Sequence, residues 1–151
     1  MKEFKNVEDI LDFAIRAEQE AIDFYTGLAS RSKNRQMSDV FTEFAEEEMK
    51  HKSRLLGIKE TKTLILSGEV VRDMKISDYL VDVPASPDMN YADALVLAMK
   101  KEKNAFRLYI FLSEEISDPV MKGLFQTLAQ EEARHKLRFE VEYDEFILRE
   151  N

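Results

Sequence analysis

The chain has 151 residues, 22 basic against 30 acidic, for a formal net charge of −8, with two histidines, no cysteine, no tryptophan, four glycines and three prolines. At 44% apolar and 34% charged it is globular rather than disordered, and its length suits one domain, residues 1–151, with a core of its own. The missing cysteines exclude a disulfide scaffold, a zinc finger, an iron–sulfur site and thiol chemistry, and the scarce glycines and prolines argue against a turn-rich all-β fold.

In chain order, Asn6 is placed to cap a first helix, with Asp9 three residues on. Ile10, Phe13, Ala14, Ala17, Ala21, Phe24, Tyr25 and Leu28 follow at the three-and-four spacing of one buried face. The polar stretch Ser30 to Gln36 breaks it. A second helix carries Met37, Val40, Phe41, Phe44, Ala45, Met49 and Leu55, the Phe and Met stripes reading as core. Residues 57–89, with Gly57, Gly68, Pro84 and Pro87, form a long crossover in which Ile76 to Val83 is expected to make a short helix. Asn90 then caps a third helix bearing Leu95, Ala98, Met99, Ala105, Phe106, Tyr109 and Leu112. Asp118-Pro119 is an N-cap followed by proline at the first helical position, so a last helix runs from about Val120 towards Leu148.

The second half repeats the first. Shifted by 84 without gaps, residues 6–54 align with 90–138, and 16 of those 49 positions are identical. Asn6 matches Asn90, Glu18 matches Glu102, Tyr25 matches Tyr109 and His51 matches His135. This is an internal duplication of a helical hairpin, about 6–56 and about 90–148. The expected fold is all-α, a four-helix bundle of two duplicated hairpins joined by the crossover. An isolated hairpin buries only one side of its apolar face, so the two are expected to pack together.

The histidines carry the chemistry. His51 follows Glu48 by three residues and His135 follows Glu132 by three, so each pair projects from one face of a helix. Glu18 is in phase with Ala14, Ala21 and Tyr25, and Glu102 with Ala98, Ala105 and Tyr109, in the middle of the apolar stripes. Unpaired carboxylates inside a bundle cost several kcal/mol each and need compensation. Two divalent cations would balance the four glutamates. Mixed carboxylate and imidazole donors suit iron or manganese better than a closed zinc site. Six residues over two ions leave positions open for oxygen, peroxide or water.

Other acidic residues rank lower. Glu20, Glu46, Glu114 and Glu115 read as solvated surface. Glu47 and Glu131 are repeated but lie about 100° from the ligand position. A surface position is their ordinary reading, and hydrogen-bonding a ligand the functional one. Tyr25 and Tyr109, each seven residues after a ligand glutamate, are either core tyrosines with satisfied hydroxyls or catalytic candidates that quench radicals beside the metals. Gly27, opposite Phe111 in the repeat, reads as close helix packing, with an open channel as the alternative.

The segments AEQEAIDFY, FAEEEMKH, KKEKNAFRLY and LAQEEARH resemble, in order, the four helix motifs of the rubrerythrin and ferritin-like di-iron carboxylate proteins. The resemblance covers nearly the whole chain. It implies a ferritin-like bundle in which Glu18, Glu48, His51, Glu102, Glu132 and His135 bind two irons. It further implies a non-haem di-iron oxidoreductase reacting with oxygen or peroxide, or alternatively a ferroxidase that handles iron; a hydroxylase of an organic substrate and a metal-free scaffold are the remaining readings. Two departures stand out. There is no cysteine-bearing rubredoxin domain, so electrons are expected from a separate donor such as a rubredoxin. Where typical rubrerythrins carry an extra glutamate three residues after the third-helix ligand, this sequence has Ala105. A homodimer is expected. The acidic balance argues against nucleic acid. No apolar run has the length of a membrane span, and the opening MKEFKNVEDI lacks a signal-peptide core, so the expected location is cytoplasmic.

Overall fold

Helix capping sets the element boundaries, and it is duplicated along with the sequence. In the computed structural model, which describes residues 3–86 and 88–150, the Asn6 side chain accepts from the Asp9 amide at 2.9 Å and Asn90 accepts from Asp93 at 2.8 Å. Asn34 and Asp118, also 84 apart, cap the second helix of each half by accepting from Met37 and Met121, at 3.2 and 2.8 Å. Even the first helices end alike, the Ser32 amide reaching Leu28 O and the Ile116 amide reaching Leu112 O.

The described residues contain five α-helices and no strand: α1 (Val7–Arg31), α2 (Arg35–Thr61), α3 (Gly68–Asp73), α4 (Tyr91–Glu115) and α5 (Pro119–Glu150), with a 3-10 turn at Ile76–Asp78. The architecture is all-α and helical-bundle in kind. None of these helices is long and apolar enough to cross a membrane.

The chain divides into two compact units, residues 3–73 and 74–150. In the first, α1 and α2 form an antiparallel hairpin with Ile10, Tyr25 and Leu28 buried from one helix and Met37, Phe41 and Leu55 from the other. Phe4 packs edge-on against Phe13, ring centroids 5.5 Å apart. Ser38 Oγ donates to Ala29 O at 2.8 Å and pins the tight connection. In the second unit, α4 and α5 bury Leu95, Tyr109 and Leu112 with Phe125, Leu128 and Phe139, and Lys122 Nζ donates to Ser113 O at 2.6 Å.

Several expectations change. The first break is only Ser32 to Asn34, because Asn34 restarts the helix. The helix α2 continues through Gly57 to Thr61 and stops at Lys62, which takes the left-handed conformation at φ 56° and gives its amide to Ile58 O and Lys59 O. The crossover helix is not Ile76 to Val83 but α3, eight residues earlier, with only a 3-10 turn at Ile76–Asp78. Ser67 Oγ caps the α3 start by accepting from Val70 N at 3.1 Å, a cue overlooked beside Gly68. Met49 is not core; it is 48% exposed, since it lies one residue, about 100°, past the buried Glu48. Gly27 is exposed, and an added Cβ would meet nothing within 4 Å. It therefore marks neither a close helix approach nor a channel wall. Pro87 lies outside the described residues.

Candidate metal centre

Each hairpin assembles the same three side chains. Glu18 projects from the middle of α1, and Glu48 and His51, one turn apart, project from α2. Glu102 on α4 with Glu132 and His135 on α5 repeats the set. All six are at most 1% exposed.

The geometry is duplicated at atomic detail. His51 Nδ1 lies 3.5 Å from Glu18 Oε2 and 3.1 Å from Glu48 Oε1. His135 Nδ1 lies 3.5 Å from Glu102 Oε2 and 4.0 Å from Glu132 Oε1. In both triads the same ring nitrogen faces both carboxylates, and one donor atom from each residue lies within 4.8 Å of the others. Donors about 2.0–2.2 Å from a shared divalent cation stand about 3–3.5 Å apart. The donor sets therefore fit a cation with small relaxation.

Electrostatics point the same way. Burial disfavours a charged His51, but the Glu18 and Glu48 carboxylates outweigh it and hold the imidazole up at about 11. A proton on His51 then supplies positive charge between two buried carboxylates, where a metal would supply more.

The remaining sequence-derived candidates differ in burial. Tyr25 and Tyr109 are fully buried, Tyr109 against Phe125 with centroids 5.9 Å apart. Glu47 and Glu131 are half-buried, in contrast to the triads, and Glu20, Glu46, Glu114 and Glu115 are exposed. Ala105 is half-buried on α4.

One buried acid escaped the sequence reading. Glu142 is 2% exposed, accepts from the Tyr91 hydroxyl at 2.9 Å and pairs with Arg149 at 3.4 Å. Burial, then the bond to Glu142, pushes the Tyr91 phenol well above its usual range. Glu142 follows His135 by seven residues and so returns to its azimuth, which was the available signal. Ile58 occupies the matching place in the first half.

A helical protein with a buried Glu–Glu–His triad in each of two duplicated hairpins is, by fold and donor set, of the carboxylate–histidine metal-site class. The Rubrerythrin family profile matches residues 9–143, and the chain belongs to that family. Its fold is similar to that of a Thermotoga maritima protein described as ferritin-like and diiron-carboxylate, at 20% identity and TM-score 0.77, over 96% of this chain and 99% of that one. It is also similar to a hypothetical protein from Pyrococcus furiosus, at 27% identity and TM-score 0.73, over 92% and 89% of the two chains. No curated protein matches the sequence significantly.

Proposed function

We propose that the protein is a non-haem di-iron oxidoreductase that reduces oxygen or peroxide with electrons from a separate donor protein of rubredoxin type. The observation that carries this reading is the repetition, in both hairpins, of a fully buried Glu–Glu–His set whose donor atoms converge on one point. Family membership supports iron as the metal, with manganese as the alternative.

In this reading Glu18, Glu48 and His51 would hold one iron and Glu102, Glu132 and His135 the other. A pair of ferrous ions bound there would supply redox and Lewis-acid chemistry towards an O–O bond. The chain's own part is positional. Nδ1 would be the ligating nitrogen of both histidines, because it faces the carboxylates. Three protein donors per ion leave coordination positions for the oxidant, and the apolar residues in phase with Glu18 and Glu102 keep bulk water away. In this reading Glu47 and Glu131, repeated and half-buried, would orient ligands, and the buried Tyr25 and Tyr109 would quench stray oxidising equivalents.

The test is metal analysis of protein purified without oxygen, followed by rapid mixing with oxygen and, separately, with peroxide. Two irons per chain and oxidation by one of the two oxidants are expected. Glu132→Ala should lower iron to one or fewer per chain and abolish turnover. Two irons and full turnover in that variant would show the ligand assignment to be wrong.

A further inference from the structure

Tyr91 and Glu142 form a polar pair that the first hairpin does without. Tyr91 opens α4, and its hydroxyl donates to Glu142 Oε2 at 2.9 Å; Glu142, on α5, is 2% exposed. Arg149 lies 3.4 Å from the same oxygen, and Phe146 stands edge-on to the Tyr91 ring with centroids 5.0 Å apart. In the repeat, Val7 stands where Tyr91 is and Ile58 where Glu142 is. The first hairpin thus forms with apolar residues at both places, and a buried charged group is seldom more stabilising than an apolar one of similar size. Packing alone therefore does not account for the pair.

Its chemistry does. The chain has five tyrosines and neither tryptophan nor cysteine, so one-electron oxidation falls first on a phenol. A neutral phenol gives up an electron readily only if its proton leaves as well, because the radical cation is a very strong acid. Tyr91 does not shed that proton beforehand, since burial, then the bond to Glu142, holds the phenol well above its usual range. The Glu142 carboxylate is an acceptor already at hydrogen-bond distance. Glu142 also shares a face of α5 with His135, two turns or about 10 Å away along the helix, and the fully buried Phe139 lies on that face between them. Tyr91 is only half-buried, within reach of small reductants, whereas Tyr25 and Tyr109 are fully buried. We propose that Tyr91 is a redox-active tyrosine that, with Glu142 as its proton acceptor, carries one oxidising equivalent from the interior of the second hairpin to its surface. In this step a one-electron oxidant takes an electron from the phenol and is itself reduced. The Oη–H bond breaks, the proton passes to Glu142 Oε2, and a neutral phenoxyl radical remains. A one-electron reductant of the ascorbate class returns the electron from solution, and Glu142 returns the proton.

The step needs only a one-electron oxidant, so its test is independent of iron. Azide radicals made by pulse radiolysis oxidise tyrosine in the full chain, with zinc present so that a metal site holds an ion without redox chemistry. Phenoxyl absorption follows the radical in time, and electron paramagnetic resonance of freeze-trapped samples identifies it. The native chain should give a long-lived phenoxyl radical that forms more slowly in heavy water, and Tyr91→Phe should lack it. Glu142→Gln still accepts the hydroxyl hydrogen bond but takes no proton, and should slow formation of that radical by about a hundredfold. Tyr91→Val combined with Glu142→Ile copies the first hairpin, and should keep the native helix content by circular dichroism while losing the radical. The same long-lived radical in Tyr91→Phe would overturn the inference, as would the native rate and isotope effect in Glu142→Gln.

Discussion

His51 shows most plainly how a buried donor set trades protons against metal. Its imidazole is held at about 11, far above its ordinary value of 6.5, by the Glu18 and Glu48 carboxylates. A raised folded-state pKa contributes stability that is fully present below about 6.5 and is lost as pH rises towards 11. The metal-free protein should therefore weaken between neutral and alkaline pH. A cation needs the neutral ring, so it must displace that proton. At pH 8, loading the first triad should release about one proton from His51, measurable with an indicator dye in weakly buffered solution. His51→Ala should abolish that release, and proton-free loading of the native chain would contradict the charged state of His51. The triad residues were legible in the sequence because helical phase alone places Glu18, Glu48 and His51 inward. Glu142 obeys the same phase rule. It was missed because its partners, Tyr91 and Arg149, lie outside the duplicated pattern and announce themselves only once α4 and α5 are packed.

At the scale of elements, the duplicated caps decide where each helix begins, and they explain what could be read in advance. Asn6, Asn90 and Asp118 follow strong capping rules and their helices start where expected. Lys62 follows none, because the residue that ends a helix in the left-handed conformation is usually glycine. The six-residue α3 was hidden for another reason: it is too short to develop a period, and its buried contribution is a single side chain, Val71. These terminations have measurable costs. Asp118→Ala removes the acceptor for the Met121 amide and should destabilise the protein by about 1 kcal/mol. Lys62→Gly relieves a Cβ-bearing residue at φ 56° and should stabilise it by about 0.5–1 kcal/mol. Urea unfolding of the two variants should move the midpoint in opposite directions. A lowered midpoint for Lys62→Gly would mean that the lysine side chain contributes more than its backbone geometry costs.

For the whole molecule, the question is what keeps four buried glutamates compatible with a stable fold. The chain carries a net charge of −8, and without metal the compensation inside each triad comes from a protonated imidazole at best. A cation that binds the folded chain and not the unfolded one adds stability by mass action, about 2.7 kcal/mol for each site at a free concentration 100 times its dissociation constant. For a chain of this length each kcal/mol moves the melting temperature by about 2–4 °C. Filling one triad should thus raise melting by about 5–10 °C, and filling both by about twice that. Differential scanning calorimetry of ferrous-loaded and chelated protein, without oxygen, reads the difference directly. Glu18→Ala, which breaks the first triad alone, should keep about half of the metal-dependent rise while the second triad still fills. A chelated native chain that melts at the loaded temperature would mean that the buried carboxylates are fully compensated by protons, and that the two triads are structural rather than built to hold metal.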